Sequence, residues 1–183
     1  ASSEQNYFLD RPESTKYAVI LAGPTVGEEN KSQFRRWAFS LHDILGRDYG
    51  YNSDTISLLF DRGTADGAGA ERIDAACDLE GIQQEFARLQ SVVKTGDQIT
   101  IYLIGHGSGS EEESKFNIAG PDITGGQFAQ MLDVFDQQDL VIVNTTSASY
   151  GFSASLSSEG RVVISSTRSS SEKYDPIFSN YFN

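Results

Sequence analysis

Gly96-Asp97-Gln98-Ile99-Thr100-Ile101-Tyr102-Leu103-Ile104-Gly105-His106-Gly107-Ser108 is the stretch whose reading decides the fold. Its middle, residues 98–104, is a run of β-branched, aromatic and aliphatic side chains. It is too short for an ordinary helix and lacks the alternation of a half-exposed strand, which predicts a strand covered on both faces. The run stops at Gly105, and the glycines on either side of His106 permit a tight turn and a close approach of backbone. An imidazole is therefore expected at the carboxyl end of the strand. In open α/β sheets that end is where ligands bind, in the crevice where strand order reverses.

Working outward, four more runs share this character, at residues 17–22, 55–60, 140–144 and 161–166. Helical patterns lie between them. Residues 31–47 put Phe34, Trp37, Ala38, Leu41, Ile44 and Leu45 on one face, and residues 79–93 do the same with Ile82, Phe86, Leu89 and Val93. Residues 124–135 open with Thr124 and Gln127 at capping-box spacing and carry Phe128, Met131, Leu132 and Phe135. Strand and helix alternate throughout, which predicts an α/β fold with a doubly wound parallel sheet. A length of 183 residues fits one domain over 1–183, with residues 1–15 expected as an extended N-terminal arm. Residues 61–76 read as a long surface connection and residues 108–114 as a second flexible stretch.

Composition bounds the partners. With 26 acidic and 14 basic residues the formal net charge is -12, a field that repels phosphate backbones and argues against nucleic acid. A cationic peptide or protein surface would be tolerated. No apolar run approaches the ~20 residues that cross a bilayer. Cys77 is the single cysteine, so no intrachain disulfide is available, and a small, buried, packing role is expected for it. His42 and His106, in unrelated places among scattered carboxylates, do not make a metal set, so no metal is expected. No cofactor is expected either. A flavodoxin-like nucleotide or flavin binder would share the strand alternation, but Ala22-Gly23-Pro24-Thr25 is a poor phosphate cradle. The polar first residues lack the basic and apolar regions of a signal peptide. An Ala-Ser-Ser start is nonetheless what leader cleavage can leave, a slight lean towards an exported bacterial protein. Oligomeric state is not legible.

The fourth strand runs into Thr145-Thr146-Ser147-Ala148-Ser149-Tyr150-Gly151-Phe152. A nucleophile belongs at such a strand-to-helix turn, where backbone N–H groups can stabilise an oxyanion. Ser147 and Ser149 are both available, and His106 or His42 is the imidazole that would activate one. His42 lies within the amphipathic pattern of residues 31–47, so a structural role is expected for it. Serine and threonine also cap helices, so the pairing of Ser with His is weak evidence by itself.

Five pieces taken in order carry more weight. They are Tyr17-Ala18-Val19-Ile20-Leu21-Ala22-Gly23, Ile56-Ser57-Leu58-Leu59-Phe60-Asp61, the stretch from Gly96 to Ser108, Leu140-Val141-Ile142-Val143-Asn144 with its serine-rich turn, and Arg161-Val162-Val163-Ile164-Ser165-Ser166-Thr167-Arg168 followed by Glu172. As a series the chain resembles the legumain–caspase superfamily of cysteine peptidases, most closely its legumain side. The resemblance implies a three-layer caspase-like fold, a mostly parallel central sheet with helices on both faces, and a peptide or protein substrate. It also implies His106 as general base, Ser147 in the nucleophile position, and the N–H of Gly107 as an oxyanion donor beside that of the nucleophile. Thr145 would line the pocket for the residue before the cut. Ser165, Ser166 and Thr167 would fall where the substrate-flanking strand ends, and Arg168 would meet an acidic or amide side chain.

The resemblance breaks at the nucleophile, where cysteine is expected and serine stands. A serine hydroxyl needs a well-placed base, usually oriented by a third group. Asp97, Asp122 and Glu172 are the candidates for that group. Tyr150-Gly151 also replaces a pair of glycines. Ser147 is either a laboratory replacement, a natural feature of a pseudo-peptidase, or a working nucleophile. Thr146 and Tyr150 depart from the pattern too, which favours a natural serine. The expected function is thus a peptidase-like hydrolase acting through His106 and Ser147. The alternative is a non-catalytic pseudo-peptidase that binds a peptide or partner as a regulatory module.

Overall fold

A computed structural model describes residues 14–24, 27–65, 67–110, 113–169 and 172. The arm expected over residues 1–15 lies almost wholly outside the described residues. Five strands, β1 (Lys16–Ala22), β2 (Ile56–Phe60), β3 (Gln98–Ile104), β7 (Asp139–Asn144) and β8 (Arg161–Ser165), form a sheet in the order β2-β1-β3-β7-β8. Every pairing in it is parallel. Three short strands, β4 (Gly107–Gly109), β5 (Ser114–Phe116) and β6 (Ile123–Thr124), make a small antiparallel sheet directly after β3. The Gly-, Ser- and Glu-rich stretch around β4 and the start of β5 hid them, and residues 108–114 are therefore partly strand rather than loop.

Two apolar layers sandwich the main sheet. On one face, Val19, Leu21, Ile101, Leu103 and Ile142 meet helices α2 (Leu79–Val92), α3 (Gly125–Leu132) and α4 (Ser149–Leu156) through Ile82, Phe86, Phe128 and Phe152. On the other, Ala18, Ile20, Leu58, Phe60 and Val143 meet α1 (Glu28–Asp48) through Phe34, Trp37, Leu41 and Leu45. Helices thus cover both faces, as continuous apolar strands require. Thr124 and Gln127 form the expected capping box at α3. Among the described residues no helix is long and apolar enough to cross a membrane.

The connection at residues 61–76 does more than cross the surface. The Leu58 N–H donates to the Asp74 carboxylate at 2.8 Å, Asp74 N–H donates to the Leu58 carbonyl at 2.9 Å, and Phe60 N–H donates to the Ala75 carbonyl at 3.0 Å. The outer edge of β2 is thereby covered, which explains why an edge strand is buried along its whole length. The opposite edge strand, β8, is only half-buried. The expectation that all five strands are covered on both faces fails there.

Cys77 follows this connection and is fully buried. Burial, reinforced by the nearby Asp78 and Asp61 carboxylates, pushes its thiol well above the ordinary range. Because the folded value exceeds the unfolded one, the associated stability is intact below about pH 8.5 and declines as pH rises beyond it. The folded protein is therefore expected to resist Ellman's reagent at pH 8 and to react with one equivalent after unfolding in guanidinium. Stoichiometric labelling of the folded protein at the unfolded rate would contradict this burial.

Candidate active site at the tips of β3 and β7

The sheet order places β1 between β2 and β3, so chain direction across the sheet reverses at the β1–β3 boundary. The crevice at that boundary is where an open α/β sheet binds ligands. Gly23 follows β1 and donates its N–H to the Ile104 carbonyl at 2.9 Å. Gly105 follows β3 with φ +142°, a conformation that L side chains rarely adopt, and a Cβ there would just touch the Gly23 backbone at 3.4 Å. A glycine is needed there on conformational grounds. His106 comes next, half-buried, with its ring edge-on to Phe34 of α1 at 5.2 Å between centroids.

β7 lies beside β3 in parallel register, Leu103 opposite Asn144. The two strands therefore end at one level, and the turns after them face each other. The Gly107 N–H donates to the Ser147 Oγ at 3.1 Å, and the Ser147 hydroxyl donates to the Gly107 carbonyl at 3.3 Å. A Cβ at Gly107 would collide with the Ser147 carbonyl oxygen. The approach of the two turns is that close. Ser147 itself is 2% exposed.

The turn carrying Ser147 is stiffened from within. The Asn144 side-chain oxygen accepts from the Thr146 N–H at 3.0 Å and the Thr146 hydroxyl at 2.7 Å, while its amide nitrogen donates to Ser153 Oγ at 3.3 Å. Thr145 donates both its N–H and its hydroxyl to the Leu103 carbonyl, at 2.9 and 2.8 Å. Ala148 then adopts a left-handed conformation, φ 51° and ψ 28°. For a residue with a Cβ this costs about 1–2 kcal/mol and requires support from its surroundings. Sequence reasoning passed over Asn144. Its signal was an amide at a strand end followed two residues later by a threonine, the pattern of a side chain bonding its own turn.

Ser149 is set apart from Ser147. It is fully buried, its hydroxyl within 2.9–3.2 Å of the Ser165, Ser166 and Thr167 hydroxyls, and it accepts the Thr167 N–H at 3.1 Å. A hydroxyl enclosed in this way is a structural group. Of the two serines, Ser147 is the one facing the His106-Gly107 turn.

The remaining expected site residues scatter. Thr145 is buried with its hydroxyl on β3 backbone, and Ser165 and Ser166 direct theirs to the Thr167 and Thr146 carbonyls. Arg168 has a side chain 96% exposed and lies 3.6 Å from Glu172. Asp97 is excluded as an orienting group for His106. It is buried at the opposite end of β3, where its carboxylate accepts the N–H groups of Thr15 and Lys94, each at 2.8 Å. Asp122 is exposed beside β6. Glu172 reaches the turn by its backbone, its carbonyl accepting the Ala148 N–H at 2.8 Å. His42 lies in α1 beside Asp43, as its helical pattern implied.

Among the described residues, no three His, Cys, Asp or Glu side chains lie together as a metal site. A groove of about 530 Å³ passes Ser57, Asp74, Glu85 and Arg88 at the outer side of β2, remote from His106 and Ser147. Glu85 there is bonded through both oxygens to Arg88, at 2.8 and 2.7 Å.

No family model matches the chain, and no curated protein matches it significantly. Among solved structures it is similar to the crystal structure of protein GSU0716 from Geobacter sulfurreducens. The TM-score is 0.45 and the sequence identity 8%, over 73% of this chain and 50% of that one. The chain spans half the length of that protein.

The contact between the two turns makes a prediction about stability. Gly107→Ala should destabilise the fold by about 1–3 kcal/mol, the cost of overpacking. Gly126→Ala, within α3 and with open space around it, should stabilise by about 0.5–1 kcal/mol. Chemical denaturation measures both. Equal tolerance of the two substitutions would mean that the turns do not touch.

Proposed function

We propose that the chain is a peptidase-like hydrolase of the legumain–caspase type, taking a peptide at the tips of β3 and β7 and acting on it through His106 and Ser147. The observation that carries this reading is the 3.1 Å bond from the Gly107 N–H to the Ser147 Oγ. It brings a hydroxyl and a backbone donor to one point, one residue beyond an imidazole. The five strand and turn pieces that resemble the superfamily add support, and a caspase-like arrangement of the domain belongs to the same proposal.

In this reading Ser147 turns away from the Gly107 carbonyl and attacks the peptide carbonyl carbon. His106 takes the hydroxyl proton as general base and then delivers it to the departing amine. Rotation also frees the Gly107 N–H, which receives the negative charge growing on the carbonyl oxygen. Water then releases the acyl group by the same steps in reverse roles. Thr145, Ser165 and Arg168 would contact the substrate only after their present bonds were rearranged.

A second reading is favoured by a specific observation. Ser147 is almost fully buried, and its proton is held by a backbone carbonyl. A chain that keeps this arrangement holds a peptide without cutting it, as a pseudo-peptidase that binds or regulates.

A library of fluorogenic peptides separates the two. Catalysis predicts turnover about a hundredfold or more above that of His106→Ala. The binding reading predicts saturable association by calorimetry, retained in His106→Ala, with no turnover. Equal background rates for the wild type and His106→Ala would remove the catalytic proposal.

A further inference from the structure

Ser147 sits within a two-residue span pinned at both ends by the tip of β8. Before it, the Ser166 hydroxyl donates to the Thr146 carbonyl at 3.0 Å. After it, the Tyr150 N–H donates to the Thr167 Oγ1 at 3.1 Å, and the Thr167 N–H donates to the Ser149 Oγ at 3.1 Å. Between the pins lie Ser147 and the left-handed Ala148. The hydroxyl protons can all be assigned. Ser165 donates to the Thr167 carbonyl at 3.1 Å, Thr167 to Ser149, Ser149 to Ser165, and Ser166 to Thr146. No hydroxyl in this cluster is left with its proton unplaced, and the Ser149 proton has a second acceptor in Ser166 Oγ at 3.2 Å. The parallel register of β7 and β8, Asn144 opposite Ser165, brings the two Ser/Thr runs side by side.

We propose that Ser166 and Thr167 are positioning residues for Ser147, holding the turn so that its hydroxyl points at the Gly107 N–H. This rests on the proposed role of Ser147 and adds to it. The substrate-flanking role expected for Ser166 is replaced by one directed inward. Neither residue would touch the reacting atoms. Release of either pin would let the turn relax from the strained Ala148 geometry and swing the hydroxyl off its donor, with the core left intact.

The test has two arms. In the first, Thr167→Val and Ser166→Ala are compared with wild type on the best peptide from the library. Each is expected to lower kcat about tenfold with KM changed less than twofold, and Thr167→Ser should restore the rate. In the second, the hydrogen exchange of the Gly107 amide is followed by NMR in the wild type and in each variant. Each substitution should speed that exchange several-fold with the amides of β1 unchanged, and Thr167→Ser should restore the protection. Unchanged kcat and an unchanged Gly107 exchange rate, with only a lower melting temperature, would overturn the proposal. Absence of turnover in every protein would overturn the catalytic reading alone, since the exchange arm reads the pins by itself. Should Thr167→Val fail to fold, Ser166→Ala decides, because it removes a pin without uncapping α4.

Discussion

Six residues of β3 lie opposite six of β7, from Gln98 against Asp139 to Leu103 against Asn144, and this register governs the carboxyl end of the sheet. A slip of one residue would turn Ile99, Ile101 and Leu103 from one apolar layer to the other and carry Asn144 with its turn past Gly107. Both layers are close-packed around the strands, so the register is fixed by the core far from the site it serves. The meeting of the two turns is a consequence of strand pairing. Loop chemistry only refines it.

Three features do that refining. Gly107 lacks the side chain that would hold the first turn away, Asn144 ties the second turn to its own strand end, and the Ser/Thr tip of β8 braces it from outside. The result stores strain at Ala148 and offsets it with neutral hydrogen bonds, an arrangement suited to holding one hydroxyl in one direction. Such bracing is compatible with a nucleophile and with a rigid binding turn alike. What differs between those uses is the path of the Ser147 proton, now directed to the Gly107 carbonyl.

The five long strands and three of the helices were legible because burial on two faces, or on one stripe, writes itself into apolar periodicity. The partnership of the β3 and β7 tips was expected from the five resembling pieces in order, since the glycines around His106 and the serine-rich turn are weak evidence by themselves. Other features left little trace. Strands β4 to β6 are two or three residues long and mostly Gly, Ser, Lys and Thr; only Phe116 and Ile123 anchor them in the core, too few to make a period. Asp74 covers the edge of β2 through a carboxylate inside a segment that reads as loop. Ser149 and Thr167 are joined by register, through two strands whose separate Ser/Thr tails give no sign of contact until the strands are placed side by side. Nothing in the sequence chose among Asp97, Asp122 and Glu172 to orient His106, and a β3 of seven residues keeps Asp97 at the far end of the strand from it.

The most direct measurement of the central claim is the hydrogen exchange of the Gly107 amide, resolved by NMR in the wild type and in Ser147→Ala. A hydroxyl accepting that N–H predicts protection in the wild type and exchange several-fold faster once the oxygen is removed, with the amides of β1 unchanged. An identical Gly107 exchange rate in the two proteins would contradict the account, because it would mean that the turns after β3 and β7 do not meet at Ser147.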